Sequence, residues 1–399
     1  MHNKMKLCVP FIHADNYIKS IIEMAGNTAS DRCIYELYGS LPEDPIGNLR
    51  PPESVRPMTM EQLAGSIEKL HAHGIRFNYI INSELIPIPM TAEYRDKVMS
   101  FLQQLSEAGV DEITVTIPYL IMLIHKYFPN LKVNVSICNE ISTVSEAMEF
   151  EEVGAEVLVL DRDVNRDFHL LRDIRRHTKG EIKVLCNSAC VFHCINVHYH
   201  GIYSSALSNS LIAPAGKGEN VFRTPCCSFY CRRRFFRDLT ELMKLHWIRP
   251  EDLPIYAREG IELFKIDGRD KEPGYLLSVV KAYLDGSYEH NLFHLLQPEF
   301  CEDLTDIDTE AEASNVPLGE EELAVLTDAF THESRSWQVG IDNRALDGFI
   351  RSFADEKIAC RGNCNACGYC KAYAEKILVN PQWRQEMLQM LDHNIQMQL

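Results

Sequence analysis

Glu262-Leu263-Phe264-Lys265-Ile266-Asp267-Gly268-Arg269 is a short apolar run closed by charge and a glycine. A helical period follows it over 275–284, with Leu276, Val279, Val280 and Tyr283 on one side. Seven further runs of the same kind precede it, at 7–11, 33–38, 77–81, 112–117, 132–137, 157–160 and 182–185. Helical periods separate most of them, at 17–25, 60–73, 92–108, 119–127, 144–153 and 167–177. In the second of these, Leu63, Ile67 and Leu70 share a face. Strands alternating with helices predict a parallel α/β fold. The run at 262–267 is the eighth, and a count of eight favours a TIM-like (β/α)8 barrel over a doubly wound sheet.

The interval between the seventh and eighth runs is far longer than an ordinary βα loop. It leaves the C-terminal end of strand seven, the face where such barrels do chemistry. Six of the chain's 14 cysteines fall between Lys183 and Cys231, the end of that strand and the insertion after it: Cys186, Cys190, Cys194, Cys226, Cys227 and Cys231. Thiolates at such spacings point to a soft metal or an iron–sulfur cluster. Cys190 and Cys194 are four apart, as are Cys227 and Cys231, and the two pairs supply four ligands for one [4Fe-4S] cluster. Cys226 competes with Cys227, and Cys33 is an outside alternative. Cys186 inside strand seven, with Cys8, Cys138 and Cys301, reads as a small buried residue. His193, His198 and His200 suit either metal ligation or hydrogen bonding around a cofactor or substrate. Arg232, Arg233 and Arg234 form either a solvated turn or the counter-charge to a cluster or an anionic substrate.

Beyond residue 291 the pattern changes. The stretch 301–322 is acidic and poor in large apolar side chains, as a solvated linker would be. The expected organisation is a barrel over 1–295, a linker or excursion over 296–335, and a small helical extension over 336–399. That extension carries Cys360, Cys364, Cys367 and Cys370 in the spacing CxxxCxxCxxC, with Gly362 and Gly368 allowing a tight loop. Four thiolates in one loop resemble ferredoxin-style cluster ligation, which makes two [4Fe-4S] clusters the expectation. The alternative, a structural zinc site, normally uses two CxxC pairs set further apart. Cys360, Cys364 and Cys367 also spell the radical SAM spacing, but behind the barrel and with Ala366 where an aromatic is expected.

Charge limits the partners. Forty basic against 57 acidic side chains give a net of −17, which argues against a broad nucleic-acid or anionic-membrane surface. The first residues lack the apolar core of a signal peptide, and no apolar run approaches the ~18 residues of a membrane span. A cytoplasmic protein with reduced thiols is the expectation.

Residues 264–269, with Pro273-Gly274-Tyr275 and Val279-Val280-Lys281-Ala282-Tyr283, resemble a sequence block of peptidase family U32, the collagenase-like proteins. Asn187 to Cys194 with His200, and Trp247-Ile248-Arg249-Pro250-Glu251-Asp252, resemble a branch of that family, and the likeness runs through 5–290. It implies a TIM-like barrel with a cysteine-ligated [4Fe-4S] cluster. Several relatives take part in oxygen-independent hydroxylation of ubiquinone precursors, tRNA or ribosomal RNA. The usual family spacing has a wider gap between the first thiolates than stands here, and the tail cysteines are not part of the family core. Three readings follow. In the first, a redox enzyme acts on a small molecule or RNA. Lys265, Asp267, Arg269, Glu36 and Asn187 orient the substrate, His193, His200 and Arg232 border the cofactor, and the tail relays electrons from a donor protein. Ion pairing that closes the barrel is the bland account of Lys265 and Arg269. The second is the peptidase of the family name, using Cys190 with His193 or His200, although neither GxSxG nor HExxH is present. The third is a noncatalytic cluster-bearing subunit that docks to a second protein of the family.

Overall fold

The computed structural model describes residues 4–27, 31–88, 90–209, 226–296, 338–360 and 362–399. Eight parallel strands close into one barrel: β1 (Met5–Pro10), β2 (Arg32–Gly39), β3 (Arg76–Ile81), β4 (Glu112–Val115), β5 (Lys132–Val135), β6 (Val157–Val159), β7 (Glu181–Leu185) and β8 (Leu263–Lys265). β8 closes the ring on β1, with Lys6 opposite Leu263 and Cys8 opposite Lys265. All eight expected runs fall on these strands. Helices α1 (Asp15–Gly26), α2 (Met60–His71), α3 (Ala92–Glu107), α4 (Pro118–Tyr127), α5 (Val144–Glu152) and α6 (Phe168–His177) occupy the successive βα intervals. Local signals set their starts. Thr59 with Gln62, and Thr143 with Glu146, form reciprocal capping boxes at α2 and α5. Pro118 stands in the first turn of α4, where its missing N–H costs nothing.

Strand residues such as Leu7, Val9, Leu37, Phe77, Ile81, Ile113, Val133 and Val184 are fully buried in the main apolar core. The barrel interior differs from the usual layers of branched hydrocarbon. Lys183 on β7 donates to Glu36 on β2 at 2.6 Å and to Asn134 on β5 at 2.8 Å. Those strands are not neighbours, so the bonds cross the lumen. Asn134 donates on to Glu112 at 2.8 Å, Asn78 donates to Glu36 at 3.2 Å, and Thr114 donates to Asn78 at 2.9 Å. A small apolar cluster of Cys8, Val157 and Leu263, flanked by Tyr35, packs separately from the main core.

The insertion between β7 and β8 contains α7 (Val197–Ser208), α8 (Cys226–Arg237), α9 (Thr240–Lys244) and α10 (Leu253–Arg258). α11 (Pro273–Asp285) and α12 (Leu292–Leu296) follow β8. The acidic stretch expected at 301–322, with Cys301, lies outside the described residues. In the extension, β9 (Val339–Gly340) and β10 (Leu378–Val379) pair antiparallel. Around them lie α13 (Phe349–Ala354), α14 (Cys364–Cys367), α15 (Tyr369–Ala374) and α16 (Pro381–Gln398).

This extension shares the barrel's apolar core through Val339, Leu346, Phe349, Phe353, Trp383 and Leu391. Phe349 lies 5.2 Å from Trp247, and Trp383 lies 5.2 Å from Phe236 on α8. Arg172 on α6 donates to Glu259 at 2.7 and 3.0 Å and to the carbonyl of Ala354 at 2.9 Å. Among the described residues no helix is long and apolar enough to cross a membrane.

Candidate functional site

The insertion and the ends of β2 and β8 meet at the C-terminal mouth of the barrel. Lys265, the last residue of β8, holds its ammonium 4.2 Å from the centre of the Tyr38 ring. Burial, then the charges of Lys183 and Arg269, bring it down to about 8. Arg269 donates to the carbonyl of Asn48 at 3.1 Å and to Ser40 at 3.4 Å. Burial and Arg50 hold its guanidinium down to about 10. Arg50 itself pairs with Asp270 at 3.3 Å. Arg269, Arg50, Asp270 and Ser40 border a cleft of about 460 Å³, lined also by His13, Arg56, Lys271 and Glu272. Arg269 and Arg50 repel each other across this cleft, only partly offset by Asp270, and an anionic ligand would relieve that repulsion.

Two expected substrate-orienting residues have other work. Glu36 is fully buried inside the barrel instead of standing at its mouth, because β2 runs on to Gly39. It is bound there by Lys183. Asn187 accepts from the Asp267 backbone N–H at 2.6 Å and donates to the carbonyls of Asp267 and Leu295 at 3.1 and 3.0 Å. Its amide clips the end of β7 to the residues after β8, and so positions Asp267. Asp267 accepts from the N–H of Gly268 at 2.9 Å.

Thirteen cysteines are described, and all are free thiols. Cys190, Cys194, Cys227 and Cys231 gather within electrostatic reach of one another. Burial first, then Cys190, Cys194 and Cys227, push the Cys231 thiol up to about 12, against Arg232. Burial, then Cys194 and Cys226, also raise Cys227. Cys33 is registered against Lys6 near the N-terminal end of β2, at the opposite end of the barrel from these thiols. Cys186 is fully buried and hydrogen-bonded into the strand end, its N–H donating to the carbonyl of Lys265 at 2.8 Å. His193 adopts a left-handed backbone, φ 48°, held by its N–H donating to Asp163 at 2.7 Å. His198 lies 3.6 Å from Glu140. Partial burial and the charges of Arg50 and Arg162 disfavour the imidazolium of His200.

All four tail cysteines line one cavity of about 360 Å³, with Lys244, Phe353 and Tyr369. Cys360 Sγ lies 3.6 Å from His246 Nε2, and Arg166 donates toward Cys370 Sγ at 3.7 Å. Burial, partly offset by Arg166, pushes Cys360 up to about 11. Among the described residues no group of three or more His, Cys, Asp or Glu side chains is drawn together as a single bound ion requires.

Sequence reasoning missed three residues here. Arg166 is buried, donates to the carbonyls of Met243 and Leu245 at 2.7 and 2.6 Å, and stacks on Trp247 and Phe349. Buried His246 is held by Asn165, which donates to its carbonyl at 2.8 Å. Glu84, after β3, receives α7 so closely that any side chain at Gly201 would collide with its carboxylate. Burial raises Glu84 to about 7, with His198 opposing and Glu140 adding.

Comparison with known proteins places these residues among relatives. The model of peptidase family U32 matches residues 47–309, which take in the inner cysteines and stop short of the tail cysteines. "Uncharacterized protease MJ1657" of Methanocaldococcus jannaschii is 27% identical over 346 residues, covering 86% of this chain and 89% of the relative. The solved structure of the U32 peptidase Mk0906 aligns at a TM-score of 0.48 and 16% identity, over 68% of this chain and 95% of that one. The YdjI aldolase from Escherichia coli K12 aligns at 0.36 and 7%, over 92% and 94%.

Proposed function

The chain belongs to peptidase family U32, and from that premise we propose that it is an iron–sulfur redox enzyme. On this reading it works in the manner of the oxygen-independent hydroxylases and acts on a small-molecule or RNA substrate at the barrel mouth. The observation that carries the reading is the set of four cysteines lining a single cavity of about 360 Å³ beside a buried guanidinium. A structural zinc site normally takes two CxxC pairs set further apart than the CxxxCxxCxxC run here. The single compact loop suits a cluster, and the gathered inner thiols offer a second donor set. Cys360, Cys364, Cys367 and Cys370 would hold one cluster, and Cys190, Cys194, Cys227 and Cys231 the other. Bound there, such clusters supply reversible one-electron transfer.

The chain's own residues do the rest. Arg269 and Arg50 bind an anionic group of the substrate. Asn187 fixes the backbone that presents Asp267. Lys265, at about 8, and Glu84, at about 7, sit where a side chain exchanges protons near neutral pH.

The relative named a protease favours a second reading, a cysteine peptidase. The sequence holds neither a GxSxG elbow nor an HExxH helix, and Cys190 gathers with Cys194, Cys227 and Cys231 as a ligand set would, which ranks this reading lower. Purification without oxygen separates the two. About eight irons per chain and a broad absorbance near about 400 nm are expected. Iron-free protein that cleaves peptides would overturn the redox reading.

A further inference from the structure

We infer that the tail is a fixed electron-uptake lobe whose cysteine site is joined to the inner cysteine site through His246 and Phe192. This rests on the two-cluster reading above. The two cysteine loops lie more than 100 positions apart in the chain, yet they meet across a short run of side chains. Cys360 Sγ is 3.6 Å from His246 Nε2. The His246 ring lies 4.5 Å from the ring of Phe192, and Phe192 lies 4.0 Å from His193. Phe192 and His193 are the residues between Cys190 and Cys194, apart from Val191. From the tail side, Gly362, in a left-handed conformation, faces His193, and a Cβ there would lie in van der Waals contact with it, 3.4 Å from Nε2.

Both bridging rings are buried, His246 at 5% and Phe192 at 8% exposure, so water does not separate the two sites along this line. The bridge is also pinned. Asn165 ties His246 to the end of β7 by donating to both the His246 and Leu185 carbonyls at 2.8 Å. Arg166 braces the tail loop at Cys370, and Asp163 braces the inner loop at His193. A tail that carried electrons by swinging between partners would not be fastened at so many points. Cys367, by contrast, is exposed, which leaves that side of the tail site open to a donor.

The step is a one-electron transfer with no bond made and no proton moved. With clusters held by the two cysteine sets, a low-potential one-electron donor would be oxidised as it reduced the tail site, and the tail site would pass that electron to the inner site. Clusters held at both sites and reduced together would couple their spins.

The test uses the full chain prepared without oxygen, its iron quantified, titrated with dithionite and followed by electron paramagnetic resonance. About eight irons are expected, with a simple signal after one electron per chain and a split, fast-relaxing one after two. The double variant Cys364→Ser, Cys367→Ser should lose four irons and the splitting together. Eight irons with two additive, unsplit signals would overturn the inference and leave the two-cluster reading standing. Four irons or none in the wild-type chain would overturn both. His246→Gln, which keeps every cysteine, should shift one midpoint potential with iron unchanged, and an unmoved potential would remove His246 from the route.

Discussion

Lys183 shows how one residue decides what the barrel interior can be. Its ammonium is 1% exposed and its partner Glu36 is not exposed at all, so each depends on the other for its charge. Lys183→Met should cost about 3–5 kcal/mol, because it strands a buried carboxylate. Adding Glu36→Leu should recover much of that loss, since a buried pair replaced by hydrocarbon is often neutral. Urea denaturation of the three chains checks both statements. Glu84 makes a prediction about pH. The fold keeps its proton up to about 7, above its ordinary 4.5, so the unfolded chain releases that proton first. The resulting penalty is absent below about pH 4.5, grows through the interval, and is complete above about pH 7. Glu84→Gln should therefore raise Tm progressively across that window, and a Tm difference that stayed flat would contradict it.

The elements were legible where their chemistry repeats. Short β-branched strand runs recur eight times with helix periods between most of them, so β1 to β8 could be read with ends off by a few residues. The position of the insertion followed from the gap between β7 and β8. What could not be read was depth and direction. Glu36 looked like a mouth residue because alternation tells which face a side chain takes, not how far down the lumen it sits. Asn187 looked like an amide free for substrate, but its partners at 267 and 295 are far away in the chain. Arg166, His246 and Glu84 belong to no motif, and single polar residues in apolar surroundings carry little signal until the fold surrounds them. The clip at Asn187 can be tested. Asn187→Ala leaves backbone groups of Asp267 and Leu295 without their partner and should cost about 1–3 kcal/mol. Denaturant unfolding reads the loss, and Asn187→Asp should not restore it, because the donor to both carbonyls would still be missing.

At the scale of the molecule, the extension completes the surface on which the insertion folds. Trp383 covers Phe236, Phe349 covers Trp247, and Arg384 donates to the carbonyls of Phe236 and Arg237 at 2.6 and 2.9 Å. A chain lacking residues 338–399 would expose those rings as one apolar face. It is expected to bind a hydrophobic dye strongly and to elute as aggregates, whereas a compact, dye-silent monomer would contradict the shared core. The same packing sets a schedule. α16 lies along α8, the helix that bears Cys227 and Cys231, and some 150 positions separate Cys231 from Pro381. At about 5–20 residues per second, the ribosome delivers the second helix roughly eight to thirty seconds after the first. Through that interval the thiols of α8 are already made but α16 has not yet packed along their helix, so the nascent protein has a defined period in which assembly machinery can reach them and stray oxidants can too.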